Sequence, residues 1–161
     1  MISNTTIRWA RAADFDQLGA VMFDAVRHGC SLYTEEQRTA WTPEPRSGPE
    51  WHARLAAQSV IVRETESQID GFLSLTETGY VDFAYIRPSA QGTGLFRKLY
   101  ERIENKARKA SAPRLHTHAS LMAQPAFSAL GFAIIAQEDV ELNGHLFKRF
   151  EMEKVLAKSP I

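Results

Sequence analysis

The sequence predicts an α/β fold of the α+β type: a mixed, mostly antiparallel sheet of about seven strands with helices on both faces. Three observations predict it. Three short strands joined by tight turns sit mid-chain, segments of helical periodicity flank them, and an Asn-Gly pair closes a last hairpin. The first strand is Thr6 to Trp9. Asp14 then reads as the N-cap of a helix, with Gln17 as its capping-box partner, Phe15, Leu18, Met22, Ala25 and Val26 on its apolar stripe, and Gly29 as its C-terminal cap. A second helix starts at Thr34 and ends before Thr42-Pro43, because proline disfavours helix at the preceding residue. The stretch Pro43 to Pro49 holds three prolines and one glycine and reads as a loop.

A short helix from Trp51 to Ala57 leads into strands Ser59–Arg63, Gln68–Thr76 and Tyr80–Ile86, an antiparallel meander. From Gly94 to Ala110 the period is helical, with Leu95, Leu99, Ile103 and Ala107 on one stripe and charges opposite. Arg114–Ala119 is a strand and Ala123–Leu130 a helix stopped by Gly131. Phe132–Val140 and His145–Glu153 flank the Asn143-Gly144 turn.

The chain has 161 residues, with 44% hydrophobic and 24% charged, which fits one domain over residues 1–161 and excludes a disordered tail or a disulfide scaffold. Nineteen basic residues balance nineteen acidic ones, so no nucleic-acid partner is expected. No apolar run approaches the ~18 residues that span a bilayer, and the start, Met1 to Trp9, lacks a signal-peptide hydrophobic region. Cys30 has no internal partner, which suits the reducing cytosol. A cytoplasmic protein without a membrane partner is the expectation.

Chemistry concentrates at Ile86-Arg-Pro-Ser-Ala-Gln-Gly-Thr-Gly-Leu-Phe-Arg97, where a strand runs through two glycines into a long helix. Free N–H groups of such a helix start converge on one point with the positive end of the dipole behind them, a cradle for phosphate. The plainer reading is a tight turn and nothing more. A Rossmann fingerprint fails, because Arg97 stands where a third small residue is needed. A Walker loop fails too, because Gly94 is followed by Leu95 instead of Lys.

Strand, Arg-Pro, Gln91-Gly-Thr-Gly94 and amphipathic helix resemble motif A of the GNAT N-acetyltransferases. Ala119 to Phe132, a short helix ending in Gly-Phe, and the ending Val140 to Lys154 are similar to the same family, as is the spacing of Tyr33, Gln37 and Trp41. The resemblance implies the GNAT fold, with a splay between the fourth and fifth strands that takes acetyl-CoA as co-substrate. It implies pantetheine pairing near Tyr85 and Ile86, and pyrophosphate contacts along Gln91, Gly92, Thr93, Gly94, Leu95, Phe96 and Arg97. Phe96 departs from the motif's Gly or Ala. Phe127 occupies the place of the tyrosine that protonates the leaving thiolate, and Ser120 that of an asparagine facing the cofactor. Acetyl transfer to a primary amine of a small molecule or peptide follows, with a homodimer left open. A non-catalytic acyl-CoA-binding module is the alternative.

Acid–base candidates come from strand alternation, which puts Tyr80, Asp82, Ala84 and Ile86 on one face. Asp82 is the one acid in an apolar strand, so it either serves as general base or forms a structural ion pair. His118 is the next candidate, on a face with His116 and Ser120. His-x-His lacks a third ligand at motif spacing, so no metal is expected. Ser120, water or a histidine would protonate the thiolate. Tyr33 and Trp41, beside Glu35 and Glu36, are the candidate acceptor-binding aromatics, suited to a cationic amine.

Overall fold

A computed structural model describes residues 4–156; residues 1–3 and 157–161, the ends of the expected domain, lie outside the described residues. In chain order the elements are β1 (Thr5–Trp9), α1 (Phe15–His28), α2 (Glu35–Trp41), α3 (Pro49–Ala56), β2 (Ser59–Thr65) and β3 (Gln68–Leu75). They continue with β4 (Tyr80–Ile86), α4 (Leu95–Lys109), β5 (Arg114–Ala119), α5 (Ala123–Ala129), β6 (Ala133–Leu142) and β7 (His145–Val155). The strands form one seven-stranded sheet in the order β1-β2-β3-β4-β5-β7-β6. Every neighbouring pair is antiparallel except β4 and β5. This is the GNAT fold that the motifs implied.

One local reading needs correction. Asp14 does not cap α1 with its side chain; its carboxylate accepts from the Arg11 N–H at 2.7 Å and from Arg8 at 2.8 and 2.9 Å. Gln17 turns away from the helix start and accepts the Ile69 N–H of β3. Gly29 is the C-cap as expected, in an extended conformation (φ −80°) with its N–H donating to the Ala25 carbonyl at 3.3 Å; Arg38 adds donors to the carbonyls of Val26 at 2.7 Å and Gly29 at 2.6 Å. At α2 the expected capping box is present, with Thr34 and Gln37 bonding reciprocally.

The helices split between the two faces. Phe15, Leu18, Val21 and Met22 of α1, with Trp51 and Leu55 of α3, bury Val60, Val62, Phe72 and Phe83 on one side. On the other, Leu95, Leu99, Ile103 and Ala107 of α4 and Phe127 of α5 cover Ile61, Leu73, Val81, Leu115 and Met152. Alternation along β2 makes this division: Ile61 goes one way, Val60 and Val62 the other. Each buried Leu or Ile contributes roughly 1.5–3 kcal/mol.

In β4 the expected alternation breaks. Leu73 faces Ala84 and Leu75 faces Val81, so β4 carries one extra residue there, and the Phe83 N–H donates to Ser74 Oγ at 2.9 Å instead of to backbone. The bulge resets the faces. Val81, Ala84 and Ile86 join the α4 side, while Asp82 and Phe83 line the same cavity as Tyr80 and Tyr85. Pairing between β4 and β5 is confined to Tyr80–His116 and Val81–Thr117, held by Thr117 Oγ1 donating to the Val81 carbonyl at 2.8 Å. Beyond the bulge the two strands part, and the cleft opens between them.

Glu104 ties α4 to β7. It accepts from Lys154 at 2.6 Å, Tyr100 at 2.7 Å and Arg108 at 3.0 Å. Burial would raise its carboxyl, but these donors outweigh that and hold it at about 2, below its ordinary 4.5. A depressed carboxyl stabilises the fold fully above its unfolded value, and that contribution is lost as pH falls from about 4.5 towards 2. Glu104→Gln is therefore expected to cost on the order of 2–3 kcal/mol at pH 7. Melting temperature followed from pH 7 to 2 should fall less steeply in the variant below pH 4.5. Parallel curves would remove Glu104 from the account of acid stability.

Candidate active site

A cavity of about 560 Å³ fills the opening between β4 and β5. Tyr85 and Ile86 form one wall, Ser120 and Met122 another, and Gly92, Gly94, Leu95, Phe96 and Arg97 the far end. Gly92 (φ 76°) and Gly94 (φ 83°) are both left-handed, a conformation that L side chains rarely adopt, and a Cβ on either would meet nothing within 4 Å. The loop is thus open above its glycines. The first hydrogen bond of α4 is Lys98 N–H to the Gly94 carbonyl at 3.3 Å, so the N–H groups of Leu95, Phe96 and Arg97 have no helical partner. These donors and the Arg97 side chain fit a diphosphate.

Two predicted loop residues serve the loop itself. Gln91 Nε2 donates to the Ile86 carbonyl at 3.0 Å, closing the turn from β4. Thr93 Oγ1 donates back to the Ala90 carbonyl. Phe96 lies edge to face with Phe127, ring centres 5.2 Å apart, and Phe127 stacks likewise on Phe132 at 5.0 Å. Phe127 is 1% exposed, so the place of the family's tyrosine is occupied by core packing.

A second cavity of about 220 Å³ adjoins the first, and Trp41, Tyr85 and Ser120 line both. Ser120 sits where β5 ends and accepts the N–H of Ala123, the first residue of α5, at 3.1 Å, which leaves its own hydroxyl proton free to point into the junction. Asp82, Tyr80 and His118 line the smaller cavity. The Asp82 side chain is 11% exposed, and its oxygens accept from Arg54 at 2.8 and 2.9 Å and from Gln58 at 2.7 Å. Arg54 also lies over the Phe83 ring at 4.5 Å. Three donors hold this carboxylate in place.

His118 is placed differently. Its Nδ1 is 2.7 Å from the Tyr80 hydroxyl, and its Nε2 is 3.6 Å from Glu138, which also takes Arg149. Burial, then the charge of Asp82, pushes the Tyr80 phenol up, so Tyr80 stays a neutral donor. His116 stacks on Tyr80 at 5.0 Å, and burial lowers it, so its ring favours the neutral form. Tyr33 stands outside both cavities. It is 6% exposed, donates to the Lys148 carbonyl at 2.6 Å, accepts the Leu121 N–H at 3.1 Å and supports Trp41 edge to face at 5.7 Å.

Sequence reading missed Tyr80 as a functional group, and missed Arg46, Arg54 and Arg149 altogether. The Tyr80–His118 contact is diagonal across the one parallel pair, and register alone reveals it. The arginines come from a loop, a helix and a far strand, and no local motif joins them.

The splayed strand pair beside a glycine-started helix is the architecture that the GNAT resemblance implied. A profile of the acetyltransferase (GNAT) domain matches residues 31–155, and the chain belongs to that family. Among solved structures, a GCN5-related N-acetyltransferase from Rhodopseudomonas palustris is 24% identical, with a TM-score of 0.85 over 97% of this chain and 99% of that one. The yncA protein of Salmonella typhimurium, solved with its cofactor acetyl-CoA, is 24% identical, with a TM-score of 0.68 over 99% of this chain and 98% of that one. PaiA N-acetyltransferase from Thermoplasma acidophilum, in complex with coenzyme A, is 16% identical, with a TM-score of 0.71 over 94% of this chain and 99% of that one. At these identities the likeness is one of fold. No curated protein matches the chain. Among the described residues, no helix is long and apolar enough to cross a membrane.

Proposed function

We propose that this protein transfers acetyl from acetyl-CoA to the primary amine of a small molecule. One observation carries the reading: a long groove ending on free helix N–H groups meets a smaller cavity at Trp41, Tyr85 and Ser120. Support comes from the acetyl-CoA and coenzyme A complexes of the two fold neighbours. Acetyl-CoA would supply the activated acyl group, with its diphosphate on the Leu95–Arg97 amides and its arm along the cleft-side backbone near Tyr85 and Ile86, where β4 has lost β5.

The chain's own residues then handle protons. A neutral amine is the nucleophile, and its proton passes to the Tyr80 oxygen as the Tyr80 hydroxyl proton moves to His118 Nδ1. The resulting imidazolium faces Glu138. We assign the base to His118 ahead of Asp82, because the Asp82 oxygens are engaged by Arg54 and Gln58. Asp82 is then a positioning residue that orients Arg54. A backbone N–H near Ile86 would meet the charge that develops on the thioester oxygen. Ser120, with its hydroxyl proton free, donates to the departing thiolate.

Thiol release from acetyl-CoA across a panel of amines tests the reading. Ser120→Ala should lower kcat by about tenfold, and the lost hydrogen bond from the Ala123 N–H should cost about 1 kcal/mol. Phe127→Tyr should not substitute for it, since Phe127 lies in packed core. Coenzyme A protection without thiol release on any amine would favour the non-catalytic acyl-CoA-binding module.

A further inference from the structure

The smaller cavity is basic. Arg46, Arg54 and Arg149 line it against one carboxylate, Asp82. Two of the three guanidinium groups are matched: Arg54 forks onto Asp82, and Arg149 bonds Glu138. Among the described residues Arg46 has no carboxylate within ion-pair distance. Its position is nevertheless built. Gly19 of α1 lets the Arg46 backbone lie directly on the helix, where any Cβ would overlap the Arg46 carbonyl. The guanidinium sits over the Trp51 ring at 5.5 Å, and Trp51 is itself fixed by donating to the Phe15 carbonyl at 2.7 Å.

We infer that the acceptor is a small amine that also carries an anionic group and a short apolar body, as an α-amino acid does, and that Arg46 binds the anion. The inference rests on the acetyl-transfer reading above. A planar, permanently charged fork suits a carboxylate or phosphonate. A bare ammonium would meet uncompensated positive charge here, whereas an anion on the same molecule cancels it. Nearby cations also favour the neutral amine, the form that attacks. Met22, Phe83, Leu142 and Phe147 supply the apolar wall. At about 220 Å³ the cavity is smaller than the roughly 300–1,000 Å³ of drug-sized sites, which selects a small molecule over a peptide. Glu35 and Glu36, the acids that suggested a cationic amine, do not line it.

The test uses matched probes: L-leucine, isopentylamine (no carboxylate), 1-amino-3-methylbutylphosphonate (anion exchanged) and 4-methylpentanoate (no amine). In thiol release, the better of the two anionic amines should exceed isopentylamine by about 10- to 100-fold in kcat/KM. The winning anion identifies carboxylate or phosphonate. Arg46→Gln should erase the preference, and Arg46→Glu should reverse it. Equal or better turnover of isopentylamine by the native protein overturns the inference and leaves acetyl transfer standing. So does a preference that survives in Arg46→Gln. If no probe is acetylated, melting shifts in the presence of coenzyme A decide. Protection by leucine, the phosphonate or 4-methylpentanoate that is lost in Arg46→Gln upholds the anion site while acetyl transfer fails. No protection by any of the three overturns it.

Discussion

Replacing His118 by alanine is expected to lower kcat/KM for the best amine by about 10²–10⁴-fold, the usual worth of a positioned base. Thermal protection by acetyl-CoA should persist, because His118 lines the smaller cavity and not the groove. Tyr80→Phe removes the hydroxyl 2.7 Å from Nδ1 but keeps the ring that stacks on His116, so its loss should fall mainly in kcat. Asp82→Asn should act otherwise. It weakens the grip on Arg54, so KM should rise while kcat stays within about threefold. The opposite result, a loss of 10² or more in kcat for Asp82→Asn with His118→Ala near native, would make the carboxylate the base. Steady-state kinetics on the three variants with one amine separate these outcomes.

Legibility of the sequence divided along a physical line. Features set by neighbours in the chain could be read directly: the α4 stripe, the Thr34–Gln37 box, and the Asn143-Gly144 turn, whose residues both take positive φ. Features set across the fold could not. Asp14 and Gln17 were read as a local pair, yet each found a tertiary partner, Arg8 and the Ile69 amide. Strand alternation in β4 failed at the bulge, because Ser74 on the neighbouring strand accepts the Phe83 N–H. β4 pairs with β5 only up to Val81, so the stretch that defeats the period-two reading is also where the cleft begins. In the site, glycine-loop residues were readable from their motif. Arg46, Arg54, Arg149 and Tyr80 were not, since packing alone gathers them.

Acetyl-CoA at 100 times its Kd should stabilise the native protein by about 2.7 kcal/mol, a rise of roughly 5–10 °C for a domain of this size. Gly94→Val should abolish that shift. Gly94 is left-handed (φ 83°) and starts α4, and a β-branched residue there costs on the order of 1–3 kcal/mol of strain unless the loop moves. Movement would displace the Leu95–Arg97 amides from the point on which they converge, and the diphosphate would lose its donors. Strain alone would also lower the melting temperature, so a control is needed. Gly144→Val places the same side chain at a comparable φ of 80°, in the hairpin between β6 and β7, and lines neither cavity. It should destabilise the free protein to a similar degree and keep the full acetyl-CoA shift. Full protection of Gly94→Val would move the diphosphate to another surface and leave the glycines of this loop with only a turn to make.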